Sequence, residues 1–350
     1  MNVILESYYK VLSDETPDFL TDYLKIKELR RINSIGMNCG TDYTKLFNNL
    51  FFYSRFNHSL AVALIIWHFT HDKVQTIAGL LHDIATPSFS HCIDFLHKDY
   101  LNQESTEFET YDILDSSDEL KLLLARDHIP IDEVRDYKKY PIADNPTPQL
   151  SADRLEYTLS GGITFSQVWN VNDILEIYSD IGVFNNEFGE IELGFRSRAI
   201  AEKFVLGASK MWHIFVSNKE KLVMQFIADV IKQLVNMGII TENELYSLSE
   251  REIISLIYQS RSQQLVAAFE GFQNAHCISE GNVKPDNSMY IVNVSPKKRF
   301  INPLINGRRG TEVSSIIHTT IERFLNYTSP QFCWFNHYIP RSLFETNCSL

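Results

Sequence analysis

The chain has no long hydrophobic run, few cysteines and no excess of positive charge. Its longest apolar stretch, Leu60–Trp67, is eight residues. A membrane-spanning helix needs about 20, so no membrane partner is expected. Five cysteines, at positions 39, 92, 277, 333 and 348, are scattered and odd in number. They form no C-x-x-C pair of the kind that builds a thiolate zinc knuckle, and they read as reduced thiols of a cytoplasmic protein. Thirty-two Lys and Arg stand against 44 Asp and Glu, a formal net charge of −12. That balance disfavours broad nucleic-acid binding, although a local basic patch could still hold phosphates. The opening residues, Met1-Asn2-Val3-Ile4-Leu5-Glu6-Ser7, lack a basic segment followed by a long apolar one, so no secretion signal is expected. Neither repeats nor low-complexity tracts are evident. What remains is 350 residues, 44% hydrophobic and 12% aromatic. Such a chain can bury a sizeable core in one large domain or two modest ones.

Against that apolar background four polar residues stand out: His58, the dipeptide His82-Asp83, and Asp153. Two imidazoles and two carboxylates suit one borderline or hard divalent ion. The spacings, 24 residues from His58 to His82 and 70 from Asp83 to Asp153, predict ligands on three separate helices brought together by folding. His58 precedes the apolar run. Before His82, Val74, Ile77, Ala78, Leu81 and Ile84 recur at i, i+3, i+4, i+7 and i+10, one stripe of a helix. Adjacent His82 and Asp83 would lie about 100° apart on it and can share a metal at a helix edge. Burying such groups costs several kcal/mol unless a metal or partner satisfies them. His68 and His71, after the apolar run, read as helix-end residues favoured by the dipole.

The H…HD…D pattern resembles the HD-domain metal-dependent phosphohydrolases. Ser54-Arg55-Phe56-Asn57-His58-Ser59, Leu80-Leu81-His82-Asp83-Ile84 followed by Phe89-Ser90-His91, and Ala152-Asp153-Arg154-Leu155-Glu156-Tyr157 are similar to the deoxynucleoside triphosphate triphosphohydrolase branch. The resemblance covers about residues 50–165. It implies an HD-domain helical bundle, with His58, His82, Asp83 and Asp153 holding one divalent ion: manganese, iron, magnesium, zinc or nickel. It also implies that Arg55, Arg154 and Tyr157 handle substrate phosphates or sugar. Three positions depart from that branch. Thr86 stands where a catalytic histidine is usual, Gln103 replaces a second active-site histidine, and Gly161 replaces an aspartate that reads a sugar hydroxyl. Thr86 and Gln103 remain substrate-facing candidates. Asp83, Glu104, His91 and Asp94 are the candidates for catalysis. His91 and Asp94, at i and i+3, could instead form a hydrogen-bonded pair bridging helices. Glu104 could equally be a solvated helix residue.

The punctuation predicts a mainly α protein with a small β element. Residues 1–50 read as an N-terminal helical segment, 51–170 as the catalytic core, and 171–350 as a mainly helical region with short strands near 289–305. Tyr137–Gln149, with Pro141, Pro146 and Pro148, reads as a loop delivering the chain to the Asp153 helix. Helices are expected around Glu202–Met211, Lys219–Asn236, Glu250–Phe269 and about 311–326. The basic set Lys297, Lys298, Arg299, Arg308 and Arg309 reads as a solvated face in preference to a phosphate site. The function expected is hydrolysis of a nucleotide or related small phosphate ester, without efficient triphosphohydrolase activity on deoxynucleoside triphosphates. A non-catalytic metal-binding regulatory protein and a cyclic-nucleotide or nucleic-acid phosphodiesterase are the alternatives, and a homo-oligomer is left open.

Overall fold

A computed structural model describes residues 2–99 and 109–345; Gln103 and Glu104 lie outside them. The protein is mainly α, with a few small strands. Its central helix, Arg55–Thr70, starts at a capping box in which Ser54 and Asn57 satisfy each other's backbone amides. It ends at His71 in the left-handed conformation, and the His71 imidazole bonds Trp67 O at 2.7 Å. Ala61 to Ile66 are all buried. An apolar run without a polar face becomes a helix surrounded by protein, each buried Leu or Ile contributing about 1.5–3 kcal/mol. Lys73–Leu81 packs tightly against it. A Cβ on Gly79 would stand 2.2 Å from Ile66 Cδ1, so a larger residue there would force the Ile66 side chain to move.

Lys73–Leu81 is capped by Asp72, which accepts from Val74 N and Gln75 N. The expected helix through His82-Asp83 stops two residues early, at Leu81. The chain tightens into i to i+3 turns, Ile84 N to Leu81 O and Thr86 N to Asp83 O. Thr86 precedes Pro87, a position that disfavours the α conformation. His82 and Asp83 therefore leave the helix end rather than its side. Ala152–Thr164, capped by Ser151, packs against the central helix as well.

The second half is built on two long helices, Arg198–Phe215 and Asn218–Asn236, linked by only Val216 and Ser217. The expected Glu250–Phe269 helix is two, Glu250–Gln259 and Gln263–Asn274, because Ser262 starts a new helix by accepting from Leu265 N. The expected 311–326 helix divides at Ser314, which caps Ser315–Asn326. Within the region read as helical lies a hairpin, Ile181–Asn185 with Ile191–Phe195 in antiparallel register. Its turn contains Gly189 at φ +78°, a conformation glycine adopts without strain. Leu304–Ile305 adds in parallel to Ile191–Phe195 and folds back onto Arg308–Arg309. Between them Asn306 and Gly307 both have positive φ, as a tight hairpin turn requires. Ile278–Gly281 pairs with Phe332–Phe335. The expected strand at Met289–Val294 is reduced to isolated bridges from Met289 and Val292.

One apolar cluster gathers around Arg55–Thr70, Ala152–Thr164 and Arg198–Phe215, and another around Asn218–Asn236. A cavity lies where the first and second halves meet, lined from both. Among the described residues no helix is long and apolar enough to cross a membrane.

Candidate metal centre

His58 sits one turn into the central helix and is 1% exposed. Its Nδ1 donates to the Glu156 carboxylate of the Ala152–Thr164 helix. His82 Nδ1 donates to Gly79 O at 2.7 Å. Both acceptors take a hydrogen from Nδ1, so each ring in its neutral, metal-binding form turns Nε2 to the centre. The two Nε2 atoms face each other at 3.2 Å. Asp153 Oδ1 stands 3.1 Å from His58 Nε2 and 3.9 Å from His82 Nε2, and Asp83 Oδ2 stands 3.8 and 3.7 Å from the same atoms.

Ligands about 2.0–2.2 Å from one ion and at right angles to each other stand roughly 3 Å apart. The nitrogen pair and the His58–Asp153 pair have that separation, and atoms of His58, His82 and Asp83 all lie within 4.8 Å of one another. Two ring nitrogens at this distance repel unless a proton or a metal cation lies between them. Three ionisable carboxyls, Asp83, Asp153 and Glu156, also demand positive charge. Burial opposes charge on His58, yet Glu156 and Asp153 outweigh it and raise its pKa to about 10. Burial likewise opposes ionisation of Asp153, but the hydrogen bond from His58 and the nearby His82 lower it to about 2. Arg55 and the two imidazoles overcome burial at Asp83 and hold its carboxyl well below the usual carboxylate range. The donor set fits a divalent cation.

Glu156 carries no assigned role in the sequence reading, yet it organises this centre. It is fully buried and accepts from Tyr8 at 3.0 Å, Tyr53 at 2.6 Å and Ser160 at 3.3 Å as well as from His58. Carboxylate–histidine pairs of this kind orient metal ligands. The available signal was a second acid three residues after Asp153, within the same helix.

The remaining candidates separate by position. Arg55 lines the cavity but is tied to Asp83 at 2.8 Å and to Ser90 at 3.1 Å. Tyr157 and His91 also line the cavity. Burial lowers the His91 pKa, partly offset by Asp94. Asp94, fully buried, accepts from His91 Nδ1 at 2.8 Å and leaves Nε2 as the nitrogen available to the cavity. Arg154 is not brought to the cavity. Its Nε donates to Gln149 O at 2.7 Å, and its Nη2 bonds Asn145 and pairs with Asp144 at 3.1 Å, which pins the Pro-rich loop. Thr86 also stands apart. It is 1% exposed, and its carbonyl accepts from Arg31. Gly161 does line the cavity, but a Cβ there would lie 2.4 Å from Met211 Cε. A thioether fills the space beside it.

The basic set divides as well. Arg309 is consumed in a two-pronged pair with buried Glu192 at 2.7 and 2.6 Å, and Lys298 holds the Leu325 and Tyr327 carbonyls at the end of Ser315–Asn326. Arg308 is exposed. Lys297 and Arg299, however, line the cavity with the metal-ligand candidates. Their alternation about Lys298 sends Lys297 and Arg299 to one side of an extended segment and Lys298 to the other, as strand geometry dictates.

No protein-family profile matches the chain. It is 21% identical over 288 residues to an uncharacterised protein, YdhJ, of Bacillus subtilis, covering 82% of this chain and 83% of that one. It is 22% identical over 284 residues, 76% of this chain and 79% of the relative, to a Cordyceps militaris protein named metal-dependent phosphohydrolase cns2. Among solved structures, the crystal structure of a hypothetical protein from Aquifex aeolicus superposes with a TM-score of 0.58 over 94% of each chain, at 16% identity. That likeness is one of fold.

Proposed function

We propose that this protein is a metal-dependent phosphohydrolase of the HD type that cleaves a nucleotide or related small phosphate ester. The observation that carries the reading is the pair of Nε2 atoms 3.2 Å apart, flanked by Asp83 and Asp153, on a cavity also lined by Arg55, Lys297 and Arg299. The name of the Cordyceps militaris relative supports it.

His58, His82, Asp83 and Asp153 would hold the ion, which when bound supplies Lewis acidity to the phosphoryl group and to water. The protein's own groups do the rest. Glu156 and Gly79 O fix the two imidazole tautomers. Arg55 orients Asp83 and, with Lys297 and Arg299, offsets phosphate charge; a guanidinium's fork suits phosphate oxygens. His91, kept neutral by burial and steadied by Asp94, offers Nε2 to accept a proton from water at the phosphate. Tyr157 offers a hydroxyl to a substrate oxygen. Deoxynucleoside triphosphates are poor substrates in this reading, because Met211 presents no hydrogen bond to a sugar hydroxyl beside Gly161.

A non-catalytic metal-binding protein is the second reading, favoured by Thr86, which replaces a histidine and lies buried away from the cavity. A metal-supplemented screen of nucleoside mono-, di-, tri- and cyclic phosphates, detecting both phosphate and nucleoside products, decides between them. Turnover of one ester supports the enzyme. Silence across the panel with metal bound supports the binding protein.

A further inference from the structure

Two polar side chains on the cavity wall take no part in the metal centre. Glu220 is on Asn218–Asn236, at the third helical position after the cap residue Ser217. A glutamate at that position ordinarily bends back to the cap residue's amide, as Glu252 does to Ser249 at 2.7 Å. Glu220 does not. Ser217 receives its amide, but the reciprocal bond is missing. The side chain instead lines the cavity, 5% exposed, and its Oε2 has no hydrogen-bond partner among the described residues. Asn38 lines the same cavity, and its buried Nδ2 is also unpartnered.

A buried polar atom without a partner forfeits the hydrogen bond it made in water. Two on one cavity wall are a cost that a ligand can remove. Their surroundings describe that ligand. Met224, one turn beyond Glu220 and therefore on its face, lines the cavity with Met37, Met211, Phe165 and Phe215. Thioethers and aromatic rings form favourable contacts with flat rings. The phosphate-binding cations belong to other segments, at Arg55, Lys297 and Arg299.

We propose that Glu220 and Asn38 form a recognition subsite for the hydrogen-bonding edge of an aromatic heterocycle, the base of a nucleotide substrate. The inference rests on the nucleotide reading of the cavity and deepens it. Burial, with Asp42 adding to it, raises the Glu220 pKa to about 8. At neutral pH the group is therefore largely a carboxylic acid, one donor beside one acceptor. That pair complements a ring edge carrying a neighbouring acceptor and donor, and the Asn38 amide adds a further donor. Glu220 and Asn38 thus act as specificity residues and leave the phosphoryl chemistry to the metal centre.

The test uses the full-length protein loaded with manganese. Calorimetry measures binding of adenosine, guanosine, cytidine, uridine and ribose 5-phosphate to the parent and to Glu220→Met, Glu220→Gln and Asn38→Leu. The parent should prefer at least one nucleoside. Glu220→Met should weaken that nucleoside about tenfold or more, the equivalent of one lost buried hydrogen bond, with ribose 5-phosphate unchanged. Glu220→Gln, which keeps a donor and an acceptor, should retain more affinity or change the preferred base. Asn38→Leu should weaken the same nucleoside and supplies the test if Glu220→Met does not fold. Absence of nucleoside binding by the parent overturns the proposal. So does unchanged nucleoside affinity in the variants, or an equal loss of ribose 5-phosphate. Nucleoside binding without turnover of any ester would refute the phosphohydrolase reading and leave the subsite standing.

Discussion

Replacing Glu156 with glutamine changes the charge and one atom of a buried carboxyl, and should weaken metal binding without touching a metal ligand. In the parent, Glu156 accepts from His58 Nδ1, Tyr8, Tyr53 and Ser160. The carboxylate has only acceptors, so all four partners donate and His58 must keep its proton on Nδ1. A glutamine amide brings two donors into this ring of donors. If its nitrogen faces His58, the imidazole must accept there and carry its proton on Nε2, the atom 3.2 Å from His82 Nε2 that the ion needs. If its oxygen faces His58, the nitrogen meets the Tyr8 and Tyr53 hydroxyls and at least one must turn away. Either arrangement also removes the negative charge that steadies a cation one residue away. Loss of such an orienting partner typically costs 10- to 100-fold in metal affinity, about 1.4–2.7 kcal/mol. Manganese affinity is measured by calorimetric titration at constant pH, with the thermal midpoint of each protein recorded beside it. A Glu156→Gln protein that is folded and binds manganese within twofold of the parent would refute the tautomer argument.

Asp83→Ala should abolish phosphate-ester hydrolysis, since it removes an anionic ligand and the partner of Arg55 together; retained turnover in the ester screen counts against the proposed centre. Tripolyphosphate release from the four common deoxynucleoside triphosphates should stay below a kcat/KM of about 10⁴ M⁻¹s⁻¹, and steady-state rates above that would place a sugar contact where Met211 stands. Gly207→Ala should destabilise by about 1–2 kcal/mol, because a Cβ there meets the Trp169 indole at 2.2 Å and overpacking exceeds the helix-propensity gain; urea denaturation showing an equal or higher midpoint contradicts this. Stability should also carry a pH signature from Glu220. Its folded pKa of about 8 lies above the unfolded value of about 4.3, so its contribution is present below about pH 4 and lost as pH rises toward 8. Glu220→Gln should flatten stability across that window, and an unaltered slope in denaturation curves would show that the carboxyl is not buried as described.

Local chemistry made the mainly α character and several boundaries legible. Apolar periodicity marked Lys73–Leu81, and the unbroken apolar run marked a helix buried on every side. Residue type also singled out His58, His82, Asp83 and Asp153, because imidazoles and carboxylates within apolar segments demand a partner. Sequence alone did not locate the hairpin at Ile181–Phe195, whose strands are stabilised by partners across the fold, nor the breaks at Ser262 and Ser314. Serine caps a helix or decorates one, and only the neighbouring amides decide which. Nor could spacing separate equivalent arginines. Arg55 reaches Asp83 while Arg154 turns to Asn145 and Gln149, and Lys297 and Arg299 enter the cavity while Lys298 and Arg309 stabilise the frame. The same holds for Glu156, Glu220 and Asn38, whose roles depend on what does or does not lie opposite them. Residue type and local period act within a few positions and are written in the chain itself. Which side chains share a cavity, and which polar atoms remain without a partner inside it, depends on segments up to hundreds of residues apart and was decided by tertiary packing.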